Sequence, residues 1–118
     1  MIQESQNRLD LLLEAVGDAD TILILPHNDP DPDAVGSAVA LRHLLMEVLN
    51  VEGEIAYQGI VGRAENRALL RYLGQPLRPL TDADLAGEAP IALVDTQPGA
   101  GNNALPAGCE VTIVLDHH

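Results

Sequence analysis

A chain of 118 residues has room for one domain, and at this size roughly two thirds of the unfolded surface can be buried on folding. Apolar residues make up 47%, supplied by aliphatic side chains, since Trp and Phe are absent and Tyr occurs twice. This leaves almost no aromatic platform for stacking bases. Eighteen acidic residues against six basic ones give a net charge of -12, which excludes general electrostatic attraction to a polyanion, so a phosphate-bearing ligand would need cations as intermediaries.

All six basic residues are Arg, suited to forked local contacts with carboxylate or phosphate. The single Cys109 rules out an internal disulfide and fits a small apolar residue near a strand in a reducing cytosol. The N-terminus is acidic and polar, and the apolar runs fall short of the ~20 residues a membrane span needs. The expectation is a cytoplasmic protein with no membrane partner.

In chain order, Leu9, Leu12, Leu13 and Val16 recur at helical spacing up to Gly17. Thr21 to Leu25 is a short apolar run with the look of a strand buried on both faces. Pro26 to Asp33 is a loop rich in Pro and Asp. From Ala34 to Leu49, the positions Ala34, Ala38, Leu41, Leu45 and Val48 trace a helical stripe. A strand over Glu54 to Gln58, a helix over Arg63 to Leu73 stopped by Gly74 and Pro76, and strands at Ile91 to Val94 and Val111 to Leu115 complete the pattern. Strand and helix alternate, which predicts an α/β fold with a mostly parallel, doubly wound sheet and flanking helices.

Three groups of polar residues fall just beyond the carboxyl ends of predicted strands. They are His27, Asp31 and Asp33 after the first, Asp95 after Ile91 to Val94, and Asp116, His117 and His118 after Val111 to Leu115. That rim is where open α/β sheets bind ligands. Singly, Asp29, Asp31 and Asp33 read as turn or N-cap residues and His27 as a loop histidine. Independent turn residues, however, have no reason to gather at one edge of three strands. Asp and His without Cys suit Mn, and after it Mg. His27, Asp31, Asp33, Asp95 and His117 are enough for two ions ~3.5 to 4 Å apart, with Asp95 as the bridge. The helix starting near Ala34 turns its positive end toward the same rim, where Gly36 permits close approach and Ser37 either bonds a phosphate or caps the first turn.

Weaker signals are Arg63, Arg67 and Arg71 along one helix face, better read as solvated than as substrate-binding, and His43, a packing or surface residue. Asn102 and Asn103 form a turn by composition. The first strand is not followed by G-x-G-x-x-G, which removes support for a dinucleotide-binding domain.

The chain resembles the DHH phosphoesterases, a superfamily that includes RecJ-type exonucleases, nanoRNA and phosphoadenosine-phosphate phosphatases, cyclic dinucleotide phosphodiesterases and family II inorganic pyrophosphatases. H-N-D-P-D-P-D-A-V-G-S from His27 to Ser37 is similar to the first motif, V-D-T from Val94 to Thr96 to the second, and L-D-H-H from Leu115 to His118 to the namesake third. The resemblance implies a two-metal hydrolase acting on phosphodiester or phosphomonoester bonds of short oligonucleotides or small nucleotides, while the lack of basic surface and aromatic platforms disfavours long duplex nucleic acid through this part of the protein. It implies His27, Asp31 and Asp95 on one metal and Asp33, Asp95 and His117 on the other. His118 would face the substrate phosphate, and Asp116 would support the site.

The family pattern continues past the namesake motif with another Asp ligand and a C-terminal substrate-binding domain. The 118 residues therefore read as a partial DHH domain expected to hold its second ion weakly and to turn over little alone. A non-catalytic nucleotide- or metal-binding regulatory module is the alternative, although it predicts eroded ligands. A homodimer is one assembly to test.

Overall fold

The computed structural model describes residues 10–11, 14–59, 71, 74, 77–87, 89–105 and 111–115. Strand β1 (Thr21–Pro26) is buried along almost its whole length and ends at a proline, which has no amide to extend the ladder. Helix α1 (Pro32–Leu44) starts two residues earlier than the apolar stripe predicts, because Pro32 occupies its first turn and Asp31 caps it. It runs into a π-helical turn (Leu45–Leu49) closed by Asn50 in the left-handed conformation. The wider turn changes the phase of the stripe: Ala34, Ala38, Leu41 and Leu45 are buried as expected, but Leu49 takes the inward place assigned to Val48, which is exposed.

Strand β2 (Glu52–Tyr57) begins and ends earlier than the pattern suggested. Gly53 lies where α1 crosses it, and a Cβ there would stand 2.9 Å from Ile24 Cδ1 and 3.1 Å from Arg42 Cγ. Strand β3 (Leu77–Pro79), helix α2 (Asp82–Ala86), strand β4 (Ile91–Val94) and strand β5 (Ile113–Leu115) follow. β3 and α2 are absent from the sequence expectation, being too short for a periodic signal. The helical residues 10–11 and 14–16 lead to Val16, which joins the core. Leu9, Leu12, Leu13, the helix over 63–73 apart from the exposed Arg71, and Cys109 lie outside the described residues.

Every strand pairing is parallel, in the order β3-β2-β1-β4-β5, with Leu23 opposite both Glu54 and Ile91. The chain builds outward from β1 through β2 to β3, then returns to lay β4 on the other side of β1. Right-handed crossovers carry connections that progress in opposite directions to opposite faces of the sheet. Accordingly, α1 and Val16 pack on the face of Ile22, Ile24, Ile55, Ala92 and Val94, while Leu85 of α2 joins Leu23, Leu25, Ala56 and Leu93 on the other. This is the doubly wound architecture expected. Among the described residues no helix is long and apolar enough to cross a membrane.

Candidate metal centre

Between β1 and β4 the chain's winding direction reverses, and in such sheets the loops leaving the two strands part to open a crevice at their carboxyl ends. Here it is a cavity of about 590 Å³, bounded by His27 and Asp31 on the β1 side and by Asp95, Thr96 and the loop through Asn102 on the β4 side. One donor atom from each of His27, Asp31 and Asp95 lies within 4.8 Å of the others. These residues are 68 positions apart at their extremes, and the parallel pairing of Pro26 with Val94 brings them together.

Each side chain is held by local structure. His27 follows the strand directly, and its Nδ1–H donates to the Asn28 carbonyl at 2.7 Å, which leaves Nε2 facing Asp31 Oδ1 at 3.6 Å. A hydrogen bond to one ring nitrogen fixes the tautomer that offers the other as a ligand. Asp31 accepts the Ala34 amide at 2.9 Å and so caps α1. That bond, together with the nearby His27, holds its carboxyl below the ordinary range against the opposing effect of burial. The cap reading and the ligand reading of Asp31 are thus compatible in one side chain.

Asp95 is 4% exposed and has φ of 59°, a left-handed backbone that Asp tolerates better than most side chains. Strain of this kind collects at functional sites. Its amide donates to the Leu115 carbonyl at 2.7 Å, so β5 braces it.

The loop between these anchors is stiff. Pro30 is fully buried, Pro32 starts α1, and the amides of Asn28 and Asp29 donate to the Asn102 and Gln58 carbonyls at 2.6 and 2.9 Å. Gly59 is required at the second tie: its φ is 90°, and a Cβ would overlap the Asp29 carboxylate and lie 3.0 Å from the Asp29 amide nitrogen.

The donor set fits a divalent cation. Two carboxylates, one of them buried, meet an imidazole, and among the described residues no Arg lines the crevice. An ion bound there would add positive charge beside the buried Asp95 carboxylate. Asn28 Oδ1, on the same loop, is buried and receives no hydrogen bond among the described residues.

The remaining predicted residues divide into two groups. Asp33 sits exposed in the first turn of α1 and is not in the three-residue cluster. Asp116, His117 and His118 lie outside the described residues. One expectation needs correction: Ser37 is not the cap, because the helix begins at Pro32 and Asp31 caps it. Neither Ser37 nor Gly36 is among the residues that bound the crevice. Gly36 instead borders a groove between α1 and β2, together with the exposed His43. Sequence reasoning placed Thr96 in a motif and Asn102 in a turn, but gave neither a part in the crevice, whose β4 side they help to form. The adjacent pair Asn102-Asn103, following two glycines, was the available signal.

Comparison with known proteins gives the family of the chain. The chain is 41% identical over 98 residues to the uncharacterized protein MJ1633 of Methanocaldococcus jannaschii, covering 82% of this chain and 20% of that protein. It is 31% identical over 106 residues to the uncharacterized protein MJ0988 of the same organism, covering 84% of this chain and 30% of that one. The chain therefore spans less than a third of the length of these relatives. No solved structure matches it. Residues 21–118 match the family model described as the DHH family, N-terminal domain, and the chain belongs to the DHH family.

Proposed function

We propose that the protein of which these residues are the N-terminal domain is a metal-dependent phosphoesterase, and that its reaction takes place in the crevice between β1 and β4. The observation that carries this reading is the convergence of His27, Asp31 and Asp95 at the point where the sheet's winding reverses. His27, Asp31 and Asp95 hold one divalent cation, and Asp33, Asp95 and His117 hold a second. The mixed nitrogen and oxygen donors favour Mn over Mg, which prefers all-oxygen shells. Two such ions supply positive charge for a phosphoryl group and acidify water for attack at phosphorus.

The protein's own contribution is positioning. Asp95 presents a carboxylate from a fixed strand end, His27 offers Nε2 in one tautomer, and Asp31 is oriented by the Ala34 amide. His118 contacts the substrate phosphate and Asp116 supports the site. The substrates that suit an acidic chain almost without aromatic residues are short oligonucleotides or small nucleotides.

The test is an assay of the full-length protein with Mn against dinucleotides, phosphoadenosine phosphate, cyclic dinucleotides and pyrophosphate. Hydrolysis of one class, abolished by Asp95→Asn, is the expected result. Tight Mn binding with no hydrolysis of any of them would overturn catalysis in favour of a regulatory metal- or nucleotide-binding module.

A further inference from the structure

The crevice has a second ordered feature besides its metal donors, a hydrogen-bond network that joins the two loops across the winding reversal. Thr96, next to Asp95 in sequence, is 2% exposed, and its hydroxyl bonds the side chains of both Asn102 and Asn103. The roles of these groups can be assigned. The Leu105 amide donates to Asn103 Oδ1 at 3.1 Å, so the Asn103 Nδ2 end must face Thr96 and donates to its Oγ1 at 3.0 Å, while also reaching the Gln97 carbonyl at 2.9 Å. The Thr96 proton then goes to Asn102 Oδ1. The buried hydroxyl is thereby satisfied as both donor and acceptor.

From Asn102 the network crosses to the other strand. Its backbone carbonyl accepts the Asn28 amide at 2.6 Å, and the Asn28 carbonyl accepts His27 Nδ1–H at 2.7 Å. Hydrogen bonds linked through the covalent frames of Asn102 and Asn28 thus connect the residue after Asp95 to the imidazole of His27.

We infer that Thr96, Asn102 and Asn103 are positioning residues, a latch that sets the spacing and ring orientation of His27 relative to Asp95 and so tunes the affinity of the metal centre. This rests on the metal-binding reading above. Groups bonded directly to a ligand, as the Asn28 carbonyl is to His27, typically change metal affinity by about 10–100-fold when removed, and the latch acts on His27 through Asn28.

The experiment is Mn titration by calorimetry on the full-length protein, alongside the melting temperature of the metal-free form. Thr96→Val keeps the shape but removes the hydroxyl, and is expected to weaken Mn binding by about tenfold, the lower end of that range. Thr96→Ser restores the hydroxyl and is expected to recover the affinity. Arg78→Gln, remote from the crevice, provides a protein of lowered stability whose Mn affinity should stay that of wild type. If Thr96→Val is too unstable to measure, Asn102→Ala, at an exposed position, is read in its place with the same expectation.

Wild-type affinity in Thr96→Val, or a loss that Thr96→Ser does not recover, overturns the latch and leaves the metal centre standing. Failure of the wild-type protein itself to bind Mn overturns the metal centre, and the latch with it.

Discussion

Two groups of carboxylates in this molecule are treated in opposite ways. Asp84, at the start of α2, is held by both guanidinium nitrogens of Arg78 at 2.7 and 2.8 Å, and a third contact joins Arg78 to Glu54 at 3.0 Å. Its Oδ2 also accepts from the Thr81 amide and hydroxyl, closing a capping box. Asp31 and Asp95 face the crevice beside the His27 imidazole, and among the described residues no Arg lines it. Where a carboxylate serves the fold, the chain brings its own cation to it. Where it gathers two carboxylates around an imidazole at the rim of the sheet, the arrangement suits a mobile cation.

The sharpest way to break this contrast is Asp95→Asn. A near-isosteric amide removes one of the clustered negative charges, so Mn affinity should fall by more than the about 10–100-fold typical of losing a supporting partner. The metal-free protein should become more stable, by about 1 kcal/mol, because stability at functional sites is commonly sacrificed to binding. For a domain of this size that raises the melting temperature by about 4 °C or more. Calorimetric titration and a thermal melt in chelator read the two effects. A variant that is less stable without metal would show that Asp95 serves the fold as Asp84 does.

Gly59→Ala should be next in effect. The new methyl group overlaps the Asp29 carboxylate and is forced into a left-handed backbone, so a destabilisation of about 1–3 kcal/mol is expected from the strain. The tie between Asp29 and Gln58 fixes the loop carrying His27 and Asp31, so Mn affinity should fall along with the urea midpoint. Gly53→Ala crowds Ile24 and Arg42 beneath α1, away from the crevice, and should lower the midpoint while leaving Mn affinity closer to wild type. Equal effects of the two on metal binding would mean that the loop is not specially braced.

The parts of this molecule that were legible in the sequence share one property: they repeat or cluster. β1 and β4 are apolar runs that any buried parallel strand requires, and their partners at the rim stand out as Asp and His directly after such runs. What was illegible depended on contacts between distant residues. β3 is three residues long and exists because it pairs with Ile55 to Tyr57. The π-turn after α1 rotates Leu49 inward, a consequence of packing that the helical stripe does not encode. The latch through Thr96, Asn102 and Asn103 is visible only once the winding reversal places the 97–103 loop against Asn28. The strand order also explains why the rim residues converge: periodicity announces strands but not which strand lies beside β1.

Arg78→Gln gives the smallest effect and tests the other half of the contrast. Arg78 is 39% exposed, so solvent screens the pair, and the loss should be about 1 kcal/mol at neutral pH. Its pH dependence carries more information than its size. The forked Arg78 guanidinium, followed by the Thr81 amide, holds the Asp84 carboxyl well below its ordinary range. A carboxyl whose folded value is depressed adds stability that is fully present above the unfolded value of about 3.9 and is lost as pH falls toward the folded value. Wild type should therefore lose this increment on acidification below about pH 4, while Arg78→Gln, having little of it to lose, shows a shallower decline over the same range. The two melting curves should converge in acid and differ at neutral pH. Curves that stay parallel down to pH 2 would mean that Arg78 stabilises the protein through packing of its aliphatic stem and not through its charge.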